Sequence, residues 1–232
     1  MKRLDKDNIV QVIFGIGFVR KIFTVEELNE VRKSFYYDWI SKDNFNVTIN
    51  DRLNAPVDVT KTRVGFTITK DLESIILDEQ RIVLIQNPPY NGGEATYKSF
   101  SDVLSNLSSI CDKINTIAFD FGIRYINRMV IDKDRFETDD FKFLHVPSLG
   151  LKDNKYVIQR LINDDEISHI LHVIVEHANS KQIALTVDID THTQLNNRKL
   201  LEEKFGVIRE AKNRLFLALF PNVEKMKEFH NE

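Results

Sequence analysis

Ala118-Phe119-Asp120-Phe121-Gly122-Ile123-Arg124-Tyr125-Ile126-Asn127-Arg128-Met129-Val130-Ile131 is the stretch on which the fold reading turns. Side chains along a strand point alternately to opposite faces. The odd positions Phe119, Phe121, Ile123, Tyr125 and Met129 make one apolar face. The even positions Asp120, Gly122, Arg124 and Arg128 make the other, with a charge density that a core tolerates only when it is paired. The segment reads as one long strand with a buried side and a polar side.

Upstream, Val10, Val12, Phe14, Ile16 and Phe18 alternate with Gln11, Ile13, Gly15, Gly17 and Val19, again with strand periodicity. Gly15 and Gly17 leave the second face bare, so a helix or a ligand can approach that backbone closely. Thr24-Val25-Glu26-Glu27 is a capping box that opens a helix. Its stripe is Leu28, Val31, Phe35 and Trp39, and it is predicted to end near Ile40. Strands follow at 45–49, 64–68, 74–77 and 81–85, the last two forming a hairpin around Asp78-Glu79-Gln80. Asn87-Pro88-Pro89-Tyr90-Asn91-Gly92-Gly93 is the strongest breaker cluster. A helix with the stripe Phe100, Val103, Leu104, Leu107, Ile110, Cys111 and Ile114 comes next, with Ser99 or Ser101 as its predicted cap.

Downstream, residues 132–154 read as polar and irregular. Strands are predicted at 156–162, 169–175 and 183–189, the last pair turning at Ala178-Asn179-Ser180-Lys181. A closing helix carries Leu201, Phe205, Ile208, Leu215, Phe216 and Leu219, with Gly206 inside it and Pro221 marking an end or kink. Its charged residues (Arg198, Lys199, Lys204, Arg209, Lys212 and Arg214 among Glu202, Glu203 and Glu210) read as a solvated face. Strands in runs with helices between the runs imply an α+β protein, an antiparallel sheet covered by long helices. Residues 1–232 read as a single domain, with possible lobes 1–131 and 155–232 joined by 132–154. Each lobe is a strand run followed by a helix, which suggests two pseudo-repeated halves, although no residue-level repeat is visible.

Composition narrows the class. Of 232 residues, 42% are hydrophobic and 29% charged, and the formal charge is −3, so a broad basic footprint for nucleic acid is absent. The single cysteine, Cys111, excludes an internal disulfide and falls on an apolar helical stripe, which reads as an inert buried thiol. These features point to a cytoplasmic protein, with no membrane span or secretory leader expected. Phosphate loops, dinucleotide fingerprints, nucleophile elbows and His-Glu-x-x-His are all missing from the sequence.

Three polar constellations remain. His172 and Glu176 share a strand face, as do Asp188 and Asp190. If position 172 lies opposite 188, the four converge as a metal site or an acid–base group. A one-residue slip turns one set away, and a solvated sheet face with cross-strand ion pairs explains the same residues. Arg124 and Arg128 lie on one face, roughly 13 Å apart at strand rise, and suit carboxylate or phosphate. Structural pairing with Asp120, Asp132 or a helix-borne Glu is the competing account. Tyr125 and Asn127 complete the binding set, and Asn127 needs partners if buried. The third constellation is the end of the closing helix, where Phe216, Leu219 and Phe220 read as core rather than as a docking surface.

At Gly122-Ile123-Arg124-Tyr125-Ile126-Asn127-Arg128 the chain resembles an uncharacterised, sporadically distributed prokaryotic family of about this length, marked by a Gly-Ile/Leu-Arg-Tyr-Ile/Val-Asn strand. Leu185-Thr186-Val187-Asp188-Ile189-Asp190 is similar to its late Leu-x-x-Asp-Ile/Val-Asp strand, and Asn213 to Phe220 to its closing helix. The resemblance implies accessory-gene biology, such as anti-phage defence or toxin–antitoxin modules. The expected function is a non-enzymatic protein-binding module without a cofactor, its partner another protein or a second copy. The alternative is a small-ligand or nucleic-acid-directed enzyme that uses an Arg/His/Asp sheet face with a divalent metal.

Overall fold

Val12, Phe14, Ile16 and Phe18 each lose nearly all solvent contact on one side of the first strand, and the strands at Glu73–Asp78, Arg81–Gln86, Phe119–Asp132, Ile167–His177 and Gln182–Leu195 follow the same alternation. The computed structural model describes residues 9–34, 40–50, 60–133 and 155–220. In chain order these form β1 (Ile9–Phe18), α1 (Val25–Ser34), β2 (Ile40–Asn50), β3 (Thr60–Lys70), β4 (Glu73–Asp78) and β5 (Arg81–Gln86). Then come α2 (Gly93–Ile110), β6 (Phe119–Asp132), β7 (Lys155–Asp164), β8 (Ile167–His177), β9 (Gln182–Leu195) and α3 (Leu201–Leu219). The class is α+β.

The strands join one nine-stranded sheet in the order β2-β3-β4-β5-β1-β6-β9-β8-β7. Every pairing is antiparallel. The strands of both predicted lobes therefore belong to a single sheet. β1 and β6 lie side by side at its middle, with Gly15 opposite Gly122, Phe14 opposite Ile123 and Ile16 opposite Phe121. β1 also borders β5, the last strand of the meander that follows it, and β6 borders β9 in the same way.

The helices pack on the face that holds Phe14 and Phe121. The Phe14 ring lies 5.8 Å from Phe100 of α2 and 5.9 Å from Phe205 of α3, and Leu28 and Val31 of α1 join the same cluster. A second cluster gathers Met129, Leu171, Val173 and Val187 under Phe216 and Leu219. Burying such side chains is worth about 1.5–3 kcal/mol each, so the helix-facing side supplies the drive to fold.

Local signals explain the element ends. The Glu27 amide donates to Thr24 Oγ1 at 3.2 Å, and Glu27 Oε2 accepts from the Thr24 amide at 2.8 Å, which completes the capping box. That backbone donor and the Lys113 ammonium hold the Glu27 carboxyl below its ordinary range. The first helix does not extend to Ile40: Ile40 opens β2, and Phe35 and Trp39 lie outside the described residues. Ser99 and Ser101 do not cap α2. The helix starts earlier, at Gly93, behind Gly92 with φ 104°, a conformation that suits glycine. Its polar-looking first turn is anchored inward by Thr96, fully buried, whose hydroxyl donates to Gln86 and reaches the Gly92 carbonyl.

α3 runs through Gly206 and ends at Leu219; Pro221 and residues 134–154 lie outside the described residues. Its basic residues are not uniformly solvated. Lys212 is 7% exposed, and Arg198, in the turn just before α3, bonds the Leu104 carbonyl and the Ser105 and Ser108 hydroxyls of α2. Helical phase places Lys212 one residue after buried Ala211 and four before Phe216, on the inner side. Cys111 is buried, with its thiol 3.7 Å from the Ile22 carbonyl, and burial pushes that thiol up in pKa.

Candidate functional site

The opposite face of the sheet carries no helix among the described residues, and its central rows can be read across the register. Ile76, Val83, Gly15, Gly122, His192 and Ser168 form one row. Beside it run Asp78, Arg81, Gly17, Asp120 and Gln194. On its other side lie Ser74, Ile85, Ile13, Arg124, Asp190 and Ile170. These rows enclose a depression of about 460 Å³.

Glycines form its floor. A Cβ built on Gly17 would meet nothing within 4 Å, one on Gly15 would reach only Val83 at 3.8 Å, and one on Gly122 would sit 3.4 Å from Asp190. Strand interiors favour branched side chains, and glycine there weakens the strand and admits a close approach from outside. Gly15 and Gly17 thus leave open space, and Gly122 lets Asp190 and His192 come close to the backbone. The bare face read from Gly15 and Gly17 is real, and the register adds Gly122 to it.

The charged side is built by β6, β8 and β9. Arg124 donates from Nε to Asp188 Oδ1 at 2.8 Å and from Nη2 to Oδ2 at 2.6 Å, a bidentate pair. That bond raises the Arg124 guanidinium further. Asp120 Oδ1 lies 3.3 Å from His192 Nδ1 and raises the imidazole pKa. Arg128 approaches Glu176 at 3.7 Å. On the apolar side, Arg81 donates to buried Asp78 at 2.8 Å.

Asp190 stands apart. Among the described residues no hydrogen-bond donor reaches its carboxylate, although Arg124 lies directly across from it. Burial raises its pKa, against the pull of His192 and Arg124. The Nε2 atoms of His172 and His192 are also buried without a hydrogen-bond partner in the described structure.

The residues singled out from sequence divide between two faces. Arg124 and Arg128 are on the open face. Tyr125 and Asn127 alternate with them and point to the helices, so the four make no common site. Tyr125 is 5% exposed, bonds the Tyr90 hydroxyl and lies under the Lys212 ammonium, 3.2 Å from its ring centroid. Burial drives the Tyr125 phenol well above its ordinary pKa. Asn127 finds the Val187 carbonyl at 3.5 Å. The partners of the arginines are Asp188 and Glu176 rather than Asp120, Asp132 or a helix-borne Glu, because the β6–β9 register sets Arg124 diagonal to Asp188.

His172 does lie opposite Asp188, the register that convergence required, with Nδ1 3.8 Å from Oδ2. His172, Glu176, Asp188 and Asp190 share the open face. They do not gather around a point, since Asp188 is held by Arg124 and Glu176 faces Arg128. Among the described residues no group of three or more His, Cys, Asp or Glu is placed to hold a metal ion. Two parts of the site escaped sequence reading: the Asp120–His192 pair and the apolar wall of Ile13, Val83 and Ile85. The even numbering shared by 188, 190 and 192 signalled the first. The wall required the β5–β1 register.

No protein-family model matches this chain, and no curated protein matches it. Among the described residues no helix is long and apolar enough to cross a membrane.

Proposed function

We propose that this chain is a non-enzymatic protein-binding module whose recognition surface is the helix-free centre of the sheet. The single observation that carries the reading is the glycine-floored depression with the Asp190 carboxylate, reached by no described hydrogen-bond donor, at its rim. Open strand positions filled by glycine, and a half-buried carboxylate that no described hydrogen-bond donor reaches, both cost stability. Such costs concentrate where a protein binds something. The charged groups favour binding, since Arg124 spends two donors on Asp188.

The module is built from two repeated halves, each a leading strand, a meander that returns to pair with it, and a helix. The pairing of the two leading strands at the centre, with Gly15 opposite Gly122, supports duplication at the level of topology. The resemblance to the sporadic prokaryotic family supports a cytoplasmic, accessory role of the antitoxin or anti-phage kind.

Affinity purification from the source organism, run in parallel on wild type and Gly17→Val, tests the reading. A stoichiometric protein held by wild type and lost by G17V is the expected result. Equal retention by both, or a bound metal or co-purified nucleotide in native mass spectrometry, overturns it.

A further inference from the structure

The charges around the central depression do not balance. Asp78, Asp120, Asp188 and Asp190 face the two guanidiniums of Arg81 and Arg124. Arg81 is used by Asp78 and Arg124 by Asp188. What remains is Asp120, shared with His192, and Asp190, which no described donor reaches. The surplus is anionic: Asp120 lies across from Gly17 and Asp190 beside Gly122, with Arg124 between Asp190 and the aliphatic wall of Ile13, Val83 and Ile85. A phosphate backbone would meet this surplus as repulsion, since nucleic-acid binding depends on cationic neutralisation. A long aliphatic stem ending in a cation meets both halves at once, with methylenes against the wall and the charge at the carboxylates.

Resting on the reading of the open face as the recognition surface, we infer that the depression receives an arginine or lysine side chain presented by a segment of a protein partner. The stem crosses Gly15 and Gly17 in the space where side chains of this chain would otherwise stand. The cationic head reaches Asp190, with Asp120 as the second carboxylate. Protein rather than free amine is the source: apolar Ile76, Val83 and Ile85 extend the floor away from the carboxylates, giving the flanking residues of a segment a surface that a small polyamine would leave uncovered.

Random peptides displayed against the full chain test this. Selected peptides are then titrated into the ¹⁵N-labelled protein, with the Gly15, Gly17 and Gly122 amides read by NMR. Spermidine and a short DNA duplex serve as separate probes. The expected result is enrichment of arginine or lysine, shifts at the three glycine amides, and a loss of affinity of tenfold or more. That loss should follow either Asp190→Asn or replacement of the basic peptide residue by norleucine. Peptides that shift the glycines but tolerate both changes overturn the inference and leave the open face as the recognition surface. Peptides that shift only amides elsewhere overturn both. Spermidine or DNA binding at the glycines as tightly as any peptide overturns the assignment to a protein side chain. Melting of Asp190→Asn at or above the wild-type temperature ensures that lost binding is not lost folding.

Discussion

The two halves of the open face are filled with different chemistry. On one side of the β1–β6 seam, β1, β4 and β5 present Ile13, Ile76, Val83 and Ile85. On the other, β6, β8 and β9 present Asp120, Arg124, His172, Asp188, Asp190 and His192. The helix-facing sides of both halves are predominantly apolar, with Gln86, Asn127, His169 and Thr191 among the buried polar exceptions. The difference marks the surface that folding leaves free. The asymmetry continues under the helices, where α2 buries Leu104 and Leu107 and α3 buries Lys212.

Lys212 offers the largest expected effect. Burial, with repulsion from Arg209, lowers its ammonium from 10.5 to about 7, while the Tyr125 ring attracts the charge and works against the shift. The unfolded chain then holds a proton that the folded chain lacks between about pH 7 and 10.5. Stability from this group therefore rises with pH across that window, and its cost is fully present below it. Lys212→Met should stabilise the protein at pH 7 by on the order of 3 kcal/mol, an advantage that fades toward pH 10.5. Urea titrations at pH 7 and 10 read both numbers, and an unchanged gap between the two pH values would sink the claim.

Next in size is the charged half. Arg124→Met removes the bidentate partner of Asp188, itself 8% exposed. We expect a loss of about 2 kcal/mol, below the 3–5 of a fully buried pair because the arginine is partly solvated. Ile85→Thr, on the apolar half, should cost less than half as much by the same urea midpoint. Equal losses would erase the contrast between the halves.

Smaller effects carry the opposite sign. Burial raises the Asp190 pKa, so the folded state keeps its proton to higher pH than the unfolded chain. Stability falls as pH climbs through that interval and then stays lowered. Asp190→Asn should gain about 1 kcal/mol at pH 7, an advantage that shrinks as pH falls through that interval and is gone below about 4. Gly17→Val, entering open space in a strand, should gain about 0.5 kcal/mol by thermal melting; a loss larger than that would mean the floor is already occupied by the chain itself.

Much of this was legible in the chain. Period-two alternation located most of the strands, and the 118–131 segment divided its two faces correctly because apolar and charged residues alternate there without a break. The capping box at Thr24 and the inner stripe of α3 were equally plain. Lys212 was not, because its charge masked its helical phase. The start of α2 was missed because its buried anchor, Thr96, is polar. The depression itself depends on three registers, β5–β1, β1–β6 and β6–β9, and long-range pairing leaves little trace in local composition. Only Gly15 and Gly17 hinted at it. The His172–Asp188 register followed from a short hairpin, whereas the Arg124–Asp188 pair needed β6 and β9, 64 residues apart, to be set side by side.

The central claim is that the middle of the open face gives up stability in order to bind. Melting temperature and partner affinity, measured together on Asp190→Asn and Gly17→Val, test it most directly. The account predicts that both variants melt at or above the wild-type temperature while affinity falls tenfold or more. Unchanged affinity with either melting result would contradict it.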